Sequence, residues 1–453
     1  MVDLSRALGL SSGDVVAFVG GGGKTTAMFR LAKELAQVGS ARPRVLTTTT
    51  TRIFAAQIKQ APAYVSFDPA SQTIDDIRPQ LDHALRQNDY VLLIGRADPD
   101  SGKAFGVEAE MIDALAATGS FDFIINEADG SRMRPLKAPA EHEPVIPHST
   151  TIVVPVVGLD ALGQPLQDEA VHRPERVSRL SGTPLGQPVT IDTISALVCH
   201  PQGGLKAVPA KARVMPLLNK LDHSSNLAEA RDIAKKLLSC SRIEAVLIGA
   251  VQTADSPIVE FHGRTAAIIL AAGGSSRFGS PKQLARWHGA TFIEHVVNAA
   301  LGSQADPVVV VLGAEMDQSR AVLDSLPVQI VYNRSWAEGQ STSMKLGLEK
   351  LAADISGVIF LLVDLPAVTS EIIDTIIDRY RQTMAPLVWP EFEGQRGNPV
   401  LFDRTLFPAL RQVSGDTGGR PVLIAHQEQA ERVAVRYESI LQDIDRPEDI
   451  PND

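Results

Sequence analysis

The sequence has very little cysteine: two residues in 453, Cys199 and Cys240. A secreted chain of this length generally carries more, so a disulfide framework is excluded and a reducing compartment is expected. Both cysteines read as small buried hydrophobes. Excess positive charge is also missing. Lys and Arg total 43 against 53 Asp and Glu, a formal net charge of −10. Broad nucleic-acid binding needs a basic face to neutralise phosphates, so no nucleic-acid partner is expected. A single nucleotide needs only a few cations or backbone N–H groups, so nucleotide binding stays open. Long hydrophobic runs are absent too. The longest, such as residues 308–312 and 358–363, are strand length, far short of the roughly 20 residues of a membrane helix. The first residues lack a basic stretch leading into a long apolar core, so no signal peptide is expected. The reading is a cytoplasmic protein with no membrane partner.

The remaining composition is that of a globular chain, with 44% hydrophobic and 21% charged residues. Its length exceeds one compact core, so two or more domains are expected. Residues 15–19 and 266–270 are short apolar runs, each entering a Gly-rich loop and then a helical pattern. Each looks like the first βα unit of an open parallel sheet. Further apolar runs recur at 44–46, 90–94, 121–125, 151–157, 214–218 and 245–248, with helical patterns at 27–37 and 227–238. In the second half, strands are expected at 307–312, 328–331, 358–362 and 387–389, and helices at 292–301, 343–351 and 370–383. This alternation predicts an α/β protein of two tandem domains, each a parallel sheet covered by helices. The stretch 253–264, with Pro257 and Gly263, reads as the boundary, giving domains 1–255 and 264–453.

The second half carries Leu270-Ala271-Ala272-Gly273-Gly274-Ser275-Ser276-Arg277-Phe278-Gly279-Ser280-Pro281-Lys282. Its glycines let the backbone approach a ligand, and free N–H groups there can cradle phosphates. Leu270 to Gly274 and Lys282 are therefore nucleotide-binding candidates. Arg277 and Lys282 add charge over a triphosphate, Arg as a planar fork and Lys as a point charge. The apolar run 358–363 ends in Asp364, where a carboxylate can hold Mg²⁺. Asp445, within Asp443-Ile-Asp445-Arg-Pro-Glu-Asp449, is the candidate second metal ligand. Taken singly, the loop also reads as a plain turn, the acidic cluster as a solvated one, and Trp336 as a ring-stacking or a core residue.

These motifs occur together with Asn333-Arg-Ser-Trp336, Gly397-Asn398-Pro399 and Gly415-Asp416-Thr-Gly-Gly-Arg420. In that order they resemble the MocA-like molybdenum cofactor cytidylyltransferases, over residues 265–450. The resemblance implies a Rossmann-like nucleotidyltransferase domain that moves CMP from CTP to molybdopterin, releasing pyrophosphate. It implies catalytic roles for Arg277, Lys282 and Asp364, and an acceptor side formed by Asn398, Asp416 and Arg420. Guanylyl relatives of that family typically read LAGG where this chain has Ala272, which favours CTP over GTP. Two rivals remain: activation of a sugar or polyol phosphate, and a cofactor-carrying chaperone that binds without turnover.

In the first half, Phe18-Val-Gly20-Gly21-Gly22-Gly23-Lys24-Thr25-Thr26 follows a strand and opens a helix. This is the context of a P-loop, with Gly20 to Gly23 presenting N–H groups, Lys24 reaching phosphates and Thr25 ligating Mg²⁺. The loop departs from the usual spacing, since Phe18 stands where a glycine is expected. The run 121–125 leads to Glu127, a second candidate metal ligand, and to Asp129. Asn219-Lys220-Leu221-Asp222 reads either as a guanine-reading motif or as a polar strand exit, and 47–51, all Thr, as a phosphate-site wall or a strand end. The loop, the Thr run, Glu127-Ala-Asp129-Gly-Ser-Arg-Met-Arg-Pro-Leu-Lys-Ala-Pro139 and Glu141-His-Glu-Pro-Val-Ile-Pro147 resemble the YqeC-like selenium-dependent hydroxylase accessory proteins, over about residues 10–250. That resemblance implies a P-loop-type domain that binds ATP or GTP and serves a molybdenum hydroxylase client.

Overall fold

The computed structural model describes residues 2–37, 42–98, 103–221, 226–253, 255–275 and 278–450. The chain forms two compact units, Met1–His262 and Gly263–Asp453.

The first unit is built on a parallel sheet. Its strands are β1 (Asp14–Gly20), β2 (Val45–Thr49), β3 (Tyr64–Ser66), β4 (Val91–Ile94), β5 (Phe123–Glu127), β6 (Ile152–Gly158), β7 (Leu217–Asn219) and β8 (Ala245–Gly249). Their spatial order is 3-4-2-5-1-6-7-8, all parallel. Parallel strands need crossovers, supplied by helices such as Lys24–Leu35, Ile74–Gln87, Ala109–Ala117 and Leu227–Leu238. With helices on its faces, most of the sheet is buried on both sides, which explains runs without polar alternation: β2, β5 and β6 are buried at every residue. The expected strand at 214–218 is interrupted at Pro216, whose missing N–H cannot join a ladder. The exposed edge strand β3 escaped the periodicity reading because only Val65 of its three residues is buried.

The second unit has the greater part of β9 (Ile258–Ala271), with β10 (Val308–Leu312), β11 (Gln329–Tyr332), β12 (Ile355–Leu362), β13 (Leu387–Phe392), β14 (Val400–Asp403) and β15 (Glu431–Ala434). The order is 11-10-9-12-14-13-15, with β14 antiparallel to both its neighbours. The sheet is thus mixed rather than wholly parallel. The stretch 253–264, expected as the boundary, holds the break between the two units and is strand from Ile258 onward. Its residues are buried almost continuously, which favours ladder pairing over a solvated linker. Between β9 and β12 the chain order reverses direction, and ligands of open α/β sheets settle beyond the carboxyl ends of strands at such a point. The loops that leave β9 and β12 there carry Gly273 and Asp364.

Candidate functional site

Beyond the carboxyl ends of β9 and β12 lies a cavity of about 690 Å³. The loop after β9 is tied down by its own polar groups. The Lys282 N–H donates to Ser275 Oγ at 2.8 Å, and Gln283 Nε2 donates to the Ala314 carbonyl at 3.1 Å. Gly274 is required sterically, because a Cβ there would lie 2.7 Å from the Trp336 ring. Trp336 therefore does two things: it packs partly against the core and it walls the cavity.

Asp364 stands two residues past β12, and its carbonyl accepts the Ile444 N–H at 3.0 Å. That bond brings the C-terminal acidic turn to the cavity. The Lys282 ammonium then bridges the two segments, 3.3 Å from Asp364 Oδ2 and 2.9 Å from Asp445 Oδ1. Asp364 Oδ1 is buried and has no hydrogen-bond partner. An orphaned carboxylate oxygen beside a second carboxylate is a donor set that fits Mg²⁺, which takes one or two carboxylates and completes its shell with substrate phosphates and water. Among the described residues no cluster of three or more metal-ligating side chains exists. Burial raises the Asp443 carboxyl above its ordinary range, and the charges of Asp364 and Asp445 push it further, against the pull of Lys282.

Leu270, Ala272, Gly273, Gly274, Lys282, Asp364, Asp416 and Asp445 all line this cavity. Ala271 does not; its side chain is fully buried in the core on the sheet's other face, as strand alternation requires. Asn398 and Arg420 are not in the wall either. Arg277 lies outside the described residues. Asp416 is anchored by the Gln340 N–H at 3.1 Å. Sequence reasoning passed over Gln340 and Ser275 in the wall, and Asp443 beside it; only the triple acid spacing at 443–449 signalled the last.

In the first unit the glycine loop ends β1 and is wedged between neighbouring backbone. A Cβ on Gly22 would fall 2.2 Å from the Gly158 nitrogen, and its φ is +81°. The loop's amides are spent internally: Gly20 N–H on the Asp129 carboxylate, Gly21 on the Val156 carbonyl and Gly22 on the Arg134 carbonyl. Lys24, only 3% exposed, donates to the Gly20 carbonyl at 2.7 Å and pairs with Asp129 at 3.3 Å and Glu127 at 3.7 Å. The Thr25 hydroxyl donates to Glu127 at 2.6 Å. So Gly20 to Gly23, Lys24, Thr25 and Glu127 do converge, but with the loop satisfied by protein groups. Burial raises the Glu127 carboxyl, opposed by Lys24 and Thr25. Thr47, Thr48 and Thr49 hydroxyls bond to strand carbonyls, the plain strand-end role. Asn219 donates to the Gly22 carbonyl at 2.7 Å and accepts from Val251 N–H, so it buttresses the loop. Asp222 lies outside the described residues.

The charge network extends inward from the loop. Lys137 pairs with Asp129 at 2.8 Å and Glu143 at 2.7 Å, and Glu143 takes Arg173 at 2.8 Å. No helix among the described residues is long and apolar enough to cross a membrane.

A mixed sheet with a glycine loop, a lysine and paired carboxylates at its switch point defines the second unit as a nucleotidyltransferase. Residues 267–430 match the family model for a MobA-like NTP transferase domain, and residues 16–175 match that for YqeC protein. The chain belongs to the YqeC family through its first unit, joined to that transferase domain. The protein named "Uncharacterized protein YqeC" of Escherichia coli (strain K12) is 35% identical over 238 residues, spanning 52% of this chain and 88% of that one. A "Nicotine blue oxidoreductase" of Paenarthrobacter nicotinovorans is 28% identical over 188 residues, 40% of this chain and 92% of that one. A "Probable molybdenum cofactor guanylyltransferase" of Bacillus cereus (strain AH820) is 37% identical over 89 residues, 20% of this chain and 44% of that one.

The network makes a pH prediction. Burial alone would raise Glu143, but the Arg173 hydrogen bond and the Lys137 charge overcome it and hold the carboxyl at about 2, against an ordinary 4.5. A depressed carboxyl stabilises the fold above its unfolded value, and that stability is lost as pH falls through the folded one. Denaturant titrations should show the first unit losing stability between pH 4.5 and about 2. Glu143→Gln should be less stable at neutral pH and flatter across that window; an unaltered slope contradicts the pairing.

Proposed function

We propose that the second unit is a molybdenum cofactor cytidylyltransferase and that the first binds ATP or GTP in the maturation of a molybdenum hydroxylase. The observation that carries the first reading is the orphaned oxygen of Asp364 with Asp445 nearby, both on the Lys282 ammonium that follows a glycine loop suited to a triphosphate. A phosphate oxygen of molybdopterin attacks the α-phosphorus of CTP. A new P–O bond forms there, the bond to the bridging oxygen of the β-phosphate breaks, and pyrophosphate leaves. The nucleophile belongs to the substrate, so no protein nucleophile is needed. A Mg²⁺ ion held by Asp364 and Asp445 would supply charge neutralisation at the α-phosphate. Lys282, and Arg277 with it, would draw onto the pyrophosphate and stabilise its charge. Asp416, Asn398 and Arg420 would serve the acceptor side.

The base preference rests on Ala272. It lines the cavity, and its methyl packs toward Gly313, where an added Cβ would lie 2.8 Å from it. The preference for CTP follows the resemblance, in which guanylyl members carry glycine at this place. A second reading, GTP, is favoured by the guanylyltransferase named above, 37% identical over its matched stretch.

For the first unit, support comes from the buried meeting of Lys24, Thr25 and Glu127 at the head of a twelve-residue helix. In this reading Thr25 and Glu127 would hold a nucleotide-bound Mg²⁺, and the Lys24 ammonium would turn to phosphate oxygens.

Two substitutions test these roles. Asp364→Asn keeps the volume and removes a metal-binding charge, so pyrophosphate release should fall about a thousandfold or more with the melting temperature little changed. Normal turnover in that variant would refute the metal assignment. Lys24→Ala should weaken ATP or GTP binding by about tenfold or more in calorimetric titration; an unchanged affinity would place the nucleotide elsewhere.

A further inference from the structure

We propose that Asn333 is a positioning residue for the nucleotide: it turns the Ser343 hydroxyl proton into the cavity, where that proton is donated to the nucleoside part of the substrate. The inference deepens the transferase reading and rests on it. Asn333 opens the stretch Asn333-Arg-Ser-Trp336 and follows β11 directly. Its N–H donates to the Leu312 carbonyl at the end of β10 at 2.7 Å, and the residue is only 3% exposed.

The side-chain amide has one orientation. The Ser335 backbone N–H can only donate, and it lies 2.9 Å from Asn333 Oδ1, so Oδ1 is the acceptor and Nδ2 faces the other way. Nδ2 spends its two N–H groups on two hydroxyls, Thr342 Oγ1 and Ser343 Oγ, each at 2.8 Å. Both hydroxyls are therefore acceptors toward Asn333 and must send their own protons elsewhere. Thr342 donates to the Gly339 carbonyl at 2.8 Å. Ser343 has no such carbonyl: among the described residues nothing accepts its proton, although the residue is 3% exposed. The direction left open is the cavity, whose wall Ser343 helps to form.

The helix Gln340–Glu349 aims this hydroxyl. Gly347 lies against β9 and β10, where an added Cβ would stand 2.7 Å from the Ile268 side chain and 3.4 Å from that of Val311. Ser343 is one turn earlier on the same face, toward the carboxyl ends of those strands. A hydroxyl brings no net charge. The phosphates have the Lys282 ammonium, whereas a neutral donor suits the carbonyl and hydroxyl oxygens of a base and its sugar. Trp336, one residue past the clamped Ser335, meets Ala272 across Gly313, where an added Cβ would lie 2.8 Å from both side chains. One buried amide thus fixes this stretch of wall and the direction of the Ser343 proton together.

Calorimetric titration of the full chain with CTP and with GTP, each with Mg²⁺, tests this. Ser343→Ala should weaken the preferred nucleotide about tenfold. Asn333→Asp keeps the size and the Ser335 bond but offers Ser343 an acceptor in place of a donor. The proton then turns away from the cavity, and affinity should again fall about tenfold. A merely structural clamp would be served by either side chain. In the double variant, Asn333→Asp with Ser343→Ala, the loss should be no greater than in Ser343→Ala alone, because the amide acts through that hydroxyl. Ser343→Ala tests the hydroxyl by itself, whatever the stability of Asn333→Asp. Losses that multiply in the double variant, an affinity like wild type in Ser343→Ala or in Asn333→Asp, or no nucleotide binding by wild type overturn the assignment. In turnover with molybdopterin-bound molybdenum, the nucleotide KM should rise in both single variants while the acceptor KM holds; the reverse pattern overturns it too. If the binding losses follow this pattern while wild type transfers no nucleotide, the positioning role stands and the transferase reading falls.

Discussion

One ammonium group organises the second unit's site. Lys282 Nζ sits between Asp364 and Asp445 and joins a loop, a strand end and a C-terminal turn that are far apart in sequence. Without that cation, burial and mutual repulsion would work against two neighbouring carboxylates, as the raised Asp443 carboxyl beside them illustrates. In the proposed reading, a triphosphate with its metal would offer a cation to the carboxylates and anions to the lysine, so that both would exchange partners without leaving a charge unpaired. The first unit repeats the plan. Lys24 leaves a glycine loop and lies on Asp129 and Glu127, with the Gly20 carbonyl as a third partner. Each unit thus keeps a lysine that follows a glycine-rich loop neutralised by acids. The first is more tightly closed, since three loop amides are also spoken for.

Much of this was legible in the residues. Apolar β-branched runs located most of the strands, because buried parallel strands leave no polar positions to confuse the pattern. The loop lysines and the carboxylates Glu127 and Asp364 were legible as candidates from their places after apolar strands, and the structure brings each lysine onto its carboxylate. Other features depend on distant partners and left no local mark. The β14 strand runs antiparallel, a matter of connection rather than composition. Ala271 looked like part of a binding loop but faces the core, since alternation along β9 sends every second side chain away from the cavity. The amides of Gly20 to Gly22 could not be known to be occupied, because Asp129, Arg134 and Val156 come from elsewhere in the chain. Likewise Asn219 looked like a base reader, yet its amide is spent on the loop backbone.

Fold alone does not decide the chemistry. A relative aligned along 92% of its own length carries an oxidoreductase name, while shorter matches carry a guanylyltransferase name. At the switch point this chain carries Asp364, Asp445 and Lys282, groups that suit charge handling around a triphosphate.

The most direct measurement is pyrophosphate release by the full chain with Mg²⁺ and molybdopterin-bound molybdenum, comparing CTP, GTP, ATP and UTP at equal concentration. Release with CTP well above the other three is expected from the carboxylate pair and the Ala272 wall. Release with GTP instead would keep the mechanism and overturn the base preference. No release with any of the four would contradict the central claim and leave the second unit a binding domain or an enzyme for another acceptor.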